Sequence, residues 1–285
     1  MRTFPFQQVD VFTAVPFKGN PVAVVLEADT ISAEQMQAIA RWTNLSETTF
    51  VCSAADPRAD YRLRIFTPLS ELPFAGHQTI GSAHAVLRQG FTSKVRGRVV
   101  QECGRGLVPI EQDGERLFFR LPVPQFGHPI EAERCRLAEA IGVDASSIGH
   151  AASIDVGPVW WALQLPSAEA VLALQPDMEK LRALMPDGIT GVTVFGSHAS
   201  GEGSDIEVRS FAPGEGVPED PVCGSGNGCV AALVQRHRLM AGDRYEATQG
   251  RCLDRDGRIA VRFDPDGTIW VGGHAVTCVD GSIAM

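Results

Sequence analysis

Arg64-Ile65-Phe66-Thr67-Pro68, followed by Phe74-Ala75-Gly76-His77, has an imperfect copy later in the chain: Arg209-Ser210-Phe211-Ala212-Pro213, followed by Val222-Cys223-Gly224-Ser225. Each copy leads into an alanine-rich tail. The offset is 145 positions from Phe66 to Phe211 and from Phe50 to Phe195, and three residues inserted near Glu219 lengthen it to 148 from Gly76 to Gly224. A repeat of this length reads as a duplicated α/β unit. In each copy a glycine turn opens a small-residue helix, whose first turn presents unpaired N–H groups and the positive end of the helix dipole. Two such termini aimed at one cleft between the halves would form an anion-binding enzyme site.

With 285 residues, 44% hydrophobic and 21% charged, the chain has an ordinary globular composition and room for two units of about 140 residues. The formal charge of −9 comes without any basic stretch, which argues against nucleic acid and against an anionic membrane surface as partners. An acidic substrate therefore needs a locally positive pocket. No apolar run approaches the roughly 20 residues of a membrane span. Met1-Arg2-Thr3-Phe4-Pro5 lacks the apolar region of a signal peptide, so a cytoplasmic location is expected. The seven cysteines, Cys52, Cys103, Cys135, Cys223, Cys229, Cys252 and Cys278, show neither CxxC nor Cys/His spacing. Free thiols are expected, with no disulfide framework and no metal site.

Short β-rich runs at Phe6 to Phe12 and Val22 to Leu26 are joined through a turn punctuated by Pro16, Gly19 and Pro21. Ser32 caps a helix running to about Trp42, with Met36, Ile39 and Ala40 at helical spacing. Strands at Thr48 to Ser53 and Tyr61 to Phe66 precede a helix from about Gln78 to Leu87. Val99 to Val108 and Arg116 to Leu121 read as further strands. Pro122-Val123-Pro124 and Gly127-His128-Pro129 form the best linker.

The second half restarts the pattern, with a helix at about Glu133 to Ile141 and strands near Val159 to Leu165, Gly191 to Phe195 and Ile206 to Phe211. A helix from about Ser225 to Arg236 follows, then strands at Arg258 to Phe263 and Thr268 to Val271. Gly272-Gly273 interrupts the last β-rich run, so His274 to Val279 is expected to cross back to the first half. The expected division is an N-terminal half of residues 1–122 with 274–285 and a C-terminal half of residues 123–273.

Glu47 stands at the entry to a strand, and at the 145 offset its counterpart is Val192, so duplication left a carboxylate in one half only. A carboxyl in a poorly solvated cleft has a raised pKa and can serve as general acid and base on a carbon-bound proton; the plain alternative is a surface glutamate capping a turn. Gly76 and His77 open the first helix, where the imidazole can bind a substrate, shuttle a proton or simply cap the helix. His84, further along, reads as structural. Glycine or serine fills four of five positions from Gly224 to Gly228, a loss of helix propensity that close backbone approach to a ligand would justify. Asp220 is held extended by Pro221. Its side chain can bind substrate or transfer a second proton. Cys223, at a helix N-terminus, can have a lowered pKa and act as a thiolate base, or be a small buried hydrophobe. The run Gly224-Ser225-Gly226-Asn227-Gly228 follows a proline loop, so a nucleotide-binding reading is disfavoured.

These residues give the chain a resemblance to the PhzF-like phenazine-biosynthesis family, within the superfold of diaminopimelate epimerase and proline racemase. The motifs that carry it span nearly the whole chain. They are Asp10-Val11-Phe12-Thr13, Gly19-Asn20-Pro21-Val22-Ala23-Val24, Asn44-Leu45-Ser46-Glu47-Thr48, Pro73-Phe74-Ala75-Gly76-His77 with Thr79-Ile80-Gly81, Glu219-Asp220-Pro221-Val222, Gln249-Gly250 and Val271-Gly272-Gly273. The resemblance implies an α/β (α+β) fold of two pseudo-symmetric halves, each a curved mixed sheet wrapped around a central helix. It also implies an active site between the halves, no cofactor and a homodimer.

The family's catalytic glutamate then falls on Glu47, and its substrate-contacting residues fall on Gly76, His77, Asp220, Gly224 and Ser225. Cys223 departs from many such sequences, which have Thr or Ala there, and is what two-thiol epimerases carry in their second half; Ala75 occupies the place of the first thiol. The expected activity is therefore a cofactor-independent isomerase moving a proton on a small carboxylate-bearing metabolite, similar to trans-2,3-dihydro-3-hydroxyanthranilate isomerase, with Glu47 as base then acid. The alternatives are an amino-acid epimerase or racemase using Cys223, and a non-catalytic small-molecule-binding member of the fold.

Overall fold

A computed structural model of the chain describes residues 2–127, 130–201 and 203–285. His128 and Pro129 of the expected linker, and Met1, lie outside the described residues. The chain divides into two compact units, Met1–Arg120 with Gly272–Met285, and Leu121–Val271.

The first unit runs β1 (Thr3–Val11), β2 (Asn20–Val25), α1 (Ala33–Thr43), β3 (Thr48–Cys52), β4 (Tyr61–Phe66), β5 (Glu71–Leu72), α2 (Gly76–Arg88), β6 (Arg98–Cys103), β7 (Gly106–Asp113) and β8 (Arg116–Arg120). The second runs β9 (Gln125–Phe126), α3 (Arg134–Ile141), β10 (Ala151–Asp155), β11 (Val159–Gln164), α4 (Ala168–Leu172), α5 (Met178–Leu184), β12 (Gly191–Ser197), β13 (Ile206–Ala212), β14 (Val217–Asp220), α6 (Gly224–His237), β15 (Arg244–Gln249) and β16 (Gly257–Phe263). Then β17 (Ile269–Gly273) carries the chain across the division at Val271, and β18 (Ala275–Ala284) belongs to the first unit, where it pairs antiparallel with β1.

The same ladder is written twice. In the first unit β1 is antiparallel to β2, β2 parallel to β3, β3 antiparallel to β4, β4 parallel to β6, and β6 antiparallel to β7. The second unit repeats these pairings in order with β10, β11, β12, β13, β15 and β16. Each unit wraps its strands around one helix: α2 packs against β1, β2, β3, β4, β6, β8 and β18, and α6 against β10, β11, β12 and β16.

Small residues make this wrapping feasible, because a helix enclosed on most sides must let strands approach its axis. A Cβ at Gly81 of α2 would lie 2.4 Å from Val22 Cγ1 and 2.9 Å from Val11 Cγ2. The outer faces of the sheets bury separate cores. One gathers Phe4, Val25, Met36, Ile39, Phe50 and Phe66 beneath α1; the other joins Leu137, Ile141, Trp161, Val171, Leu181, Val194 and Phe211 beneath α3, α4 and α5. The expected cap of α1 is present as a reciprocal box, with Gln35 N donating to Ser32 Oγ and Ser32 N donating to Gln35 Oε1.

Three expectations need correction. Val99 to Val108 is not one strand: the chain turns at Gly104-Arg105, with Gly106 at φ +94, and returns as β7. The strands β10 and β15 are absent from the sequence reading, since Ala151-Ala152-Ser153-Ile154-Asp155 lacks alternation; β10 is a strand because β9 and β11 claim its two edges. The helices α4 and α5 are also absent from it, although Ser167 and Asp177 cap them, accepting from Ala170 N and Lys180 N.

Candidate active site

In the first unit the turn Pro73–Ala75 delivers α2 with Ala75 extended as its cap, at φ −155 and ψ 146. A methyl group accepts no hydrogen bond, so Ala75 gives this N-terminus no side-chain cap. His77 is folded back from the first helical turn and buried. Its imidazole hydrogen-bonds the Pro21 carbonyl, and burial pushes its pKa down to about 3. The ring is therefore neutral.

Glu47 reaches the same place from the other side. Asn44 ends α1 in the left-handed conformation (φ 54), and the short loop that follows sets Glu47 immediately before β3. Its Oε2 lies 3.5 Å from His77 Nε2, and both side chains are largely buried. Because the imidazole is neutral, this contact is not an ion pair. Among the described residues Nε2 has no hydrogen-bond partner, so the bond to Pro21 assigns the ring proton to Nδ1, and the nitrogen that faces Glu47 carries a lone pair.

The second unit builds a denser turn. Cys223 caps α6, its Sγ accepting from Gly226 N at 3.2 Å and lying 3.6 Å from Ser225 Oγ. Ser225 Oγ accepts from Trp160 Nε1 on β11 at 3.0 Å. Asp220 closes β14, and its Oδ1 accepts from Val222 N at 3.1 Å. Burial pushes the Asp220 pKa up to about 6, against hydrogen bonds from the Cys223 thiol and Val222 N–H. Burial and the neighbouring Asp220 raise the Cys223 thiol well above its ordinary range. Of the two readings of Cys223, the small buried thiol holds and the lowered pKa does not, because desolvation outweighs the dipole.

Two further devices recur in both units. Arg64 holds Glu71 through two bonds of 2.7 Å, and Arg209 holds Glu219 through bonds of 2.9 and 2.8 Å. Each guanidinium also lies over a ring, Phe66 at 5.1 Å and Phe211 at 5.0 Å. Likewise Gln101 Nε2 donates to Thr79 Oγ1 at 3.1 Å, and Gln249 Oε1 accepts from Asn227 Nδ2 at 2.8 Å. All four positions lie at the 148 offset from their partners in the other copy.

The ladders correct one alignment. Phe66 lies opposite Thr48, whereas its counterpart Phe211 lies opposite Val192. Thr48 therefore corresponds to Val192, and Glu47 to Gly191 rather than to Val192. Matching Phe50 with Phe195 slips the strand by one residue, which would turn every side chain to the opposite face. The equivalent residues are Thr49 and Thr193, whose hydroxyls bond Ser82 at 2.9 Å and Ser210 at 3.0 Å. The asymmetry persists, since Gly191 has no carboxylate either.

The structure thus gathers Glu47, Gly76 and His77 in the first unit, and Asp220, Cys223, Gly224 and Ser225 in the second. His84, read as structural, bonds Thr277 Oγ1 at 3.0 Å. Sequence reasoning missed the supporting groups Pro21, Trp160 and Asn227, and assigned Gln249 no task. Gln249 had a signal, as the 148-position mate of Gln101. All seven cysteines are free. Among the described residues no cluster of three or more His, Cys, Asp or Glu is placed to hold a metal ion.

A family model for phenazine biosynthesis-like protein matches residues 9–281. The sequence is 41% identical to Antisense-enhancing sequence 1 of Schizosaccharomyces pombe, over 99% of each chain. It is 35% identical to trans-2,3-dihydro-3-hydroxyanthranilate isomerase of Pseudomonas aeruginosa, over 96% of each. The crystal structure of the Bacillus anthracis phenazine biosynthesis protein of the PhzF family superposes with a TM-score of 0.87 at 25% identity, covering 100% of both chains.

Proposed function

The chain belongs to the phenazine biosynthesis-like protein family and is an isomerase of that family; from that premise we propose that Glu47 moves a proton between carbon atoms of a small carboxylate-bearing metabolite, without a cofactor. The observation that carries this reading is the facing of Glu47 Oε2 and the neutral His77 Nε2 across 3.5 Å. In the proposed cycle the Glu47 carboxylate takes a proton from one carbon as the electron pair of the C–H bond shifts into the substrate. The resulting carboxyl returns a proton to another carbon, so atoms and electrons balance within the substrate. While Glu47 holds the proton, Nε2 can accept a hydrogen bond from Oε2–H, which steadies the carboxyl between the two transfers.

The uncapped first turn of α2, with the backbone of Gly76 and His77, supports anion binding by N–H groups. In the second unit Asp220, Gly224 and Ser225 are proposed to orient polar groups of the substrate. Trans-2,3-dihydro-3-hydroxyanthranilate, the compound named for the Pseudomonas aeruginosa relative, is the first substrate to try. Glu47→Gln keeps the shape and removes the base. Turnover and solvent-deuterium incorporation in that variant should fall by about 10² to 10⁴; wild-type rates would overturn the assignment. The family resemblance also supports a homodimer in the cytoplasm, to be checked by light scattering and fractionation.

A further inference from the structure

One motif of the sequence has no part in the proposed chemistry: Gln249-Gly250. The Gln249 side chain is buried at the end of β15 and makes three bonds to one turn. Its Oε1 accepts from Cys223 N at 3.1 Å and from Asn227 Nδ2 at 2.8 Å, while its Nε2 donates to the Asp220 carbonyl at 2.9 Å. Asn227 Nδ2 also donates to Cys223 O at 2.9 Å, closing a ring of amides around the cap of α6. Gly250 completes the clasp at φ +99, where a Cβ would come 2.5 Å from Pro221 O. Asp220 and Cys223 are thereby held at both ends by one side chain from outside their own segment.

The first unit is the internal control. Gln101 occupies the same place and is equally buried, but its amide reaches Tyr61 OH at 3.1 Å and Thr79 Oγ1 at 3.1 Å, and no bond from it to the cap residue Ala75 or to the Leu72 backbone is present among the described residues. The glutamine is common to both copies, whereas the grip on the turn occurs in the copy that carries Asp220 and Cys223.

We propose that Gln249 is a positioning residue, which sets the aim of the Asp220 carboxyl and the Cys223 thiol at the N-terminus of α6. Its orientation is determined: two donors converge on Oε1, so Nε2 must face the Asp220 carbonyl. Removing the amide takes from Cys223 N–H and from the Asp220 carbonyl the bonds that Gln249 makes to them. The turn then relaxes and admits water to Asp220. The charged or titratable groups that bear on Asp220 are the Cys223 thiol and Glu219, the latter occupied by Arg209. This role rests on the proposed function of Asp220.

The test compares Gln249→Ala, Gln249→Met and Gln101→Ala in the full chain, with Asp220→Asn as the reference that assigns the carboxyl signal. Carbon-13 carboxyl NMR follows Asp220 through a pH titration, alongside kcat, KM and melting temperature. In both Gln249 variants the Asp220 midpoint should move from near 6 toward the ordinary carboxyl range by roughly one pH unit, and kcat should fall about tenfold to a hundredfold with a smaller change in KM. Gln249→Met keeps the length of the side chain and loses the amide without adding a charge beside Asp220, so it serves if the alanine variant does not fold. Gln101→Ala should lower the melting temperature while leaving the Asp220 midpoint in place. If the Gln249 variants also lose only stability, with midpoint and kcat retained, the positioning role is overturned. Full turnover in Asp220→Asn would instead remove the proposed function of Asp220, a separate outcome, because the midpoint is read without turnover.

Discussion

Arg209 and Glu219 form a two-pronged pair, Nε to Oε1 at 2.9 Å and Nη2 to Oε2 at 2.8 Å, immediately before Asp220. The same guanidinium donates to the carbonyls of Val171 and Leu174 at the end of α4. One arginine thus ties the strand leading into the α6 turn to the helix packed on the outer face of its unit. The Arg64–Glu71 pair of the first copy lacks burial: its side chains are 21% and 42% exposed, against 6% and 9% for Arg209 and Glu219.

That contrast predicts unequal costs for the same chemical change. Arg209→Met leaves Glu219 a buried, unpaired carboxylate, so chemical denaturation should show a loss of about 3 to 5 kcal/mol. Arg64→Met should cost about 1 kcal/mol or less, because water still solvates Glu71. Equal losses would show that burial does not separate the two copies.

Asp220→Asn should stabilise the protein at neutral pH. The folded chain keeps the Asp220 proton up to about pH 6, whereas an ordinary aspartate releases it near 3.8. Between these values the folded state binds more protons than the unfolded state, so the contribution is present below pH 3.8 and is lost as pH rises through 6. Asparagine has no proton to lose. Urea denaturation at pH 7 should show a gain of up to about 3 kcal/mol over wild type, shrinking to nothing below pH 4, while turnover falls.

His77 works in the opposite direction. It is neutral down to about pH 3 when folded, and an unfolded histidine takes its proton near 6.5. Its contribution is full above pH 6.5 and is lost as pH falls toward 3. Acid titration of stability should therefore be shallower in His77→Gln than in wild type across that window, read from urea midpoints at successive pH values.

Cys223 provides the discriminating measurement between the carboxylate and thiol readings. With its thiol held protonated by burial and by Asp220, Cys223→Ser should retain most deuterium exchange into substrate, whereas Glu47→Gln should lower it by about 10² to 10⁴. Exchange lost in the cysteine variant but kept in the glutamine variant would establish the racemase alternative.

Gly81→Ala tests the enclosure of α2. A helix interior normally gains about 1 kcal/mol from this change. Here the new methyl would meet Val22 and Val11 at 2.4 and 2.9 Å, and overpacking costs about 1 to 3 kcal/mol. A melting temperature above wild type would mean that β1 and β2 give way freely.

Much of this protein is legible in short stretches. The duplicated Arg-x-Phe and glycine-turn motifs, the Ser32 cap and the alternation in Tyr61–Phe66 are local patterns, and local patterns follow from backbone sterics and side-chain period. The candidate site residues could be named for the same reason, since turn chemistry brings Gly76 with His77, and Asp220 with Cys223, over a few positions. The strand β10 was not legible, because nothing in Ala151–Asp155 marks it apart from the neighbours that take its edges.

By itself the sequence determined that the chain is a duplication, that each copy opens a small-residue helix at a glycine turn, and that a carboxylate, a histidine and a thiol sit asymmetrically across the copies. Tertiary structure alone decided that Glu47 corresponds to Gly191, that the imidazole stays neutral, that the thiol keeps its proton, and that Gln249 rather than Gln101 grips its turn. Register and desolvation are set by partners distant in the chain. A one-residue slip across a ladder, or the removal of water from a carboxyl, leaves no trace in the residues on either side of it.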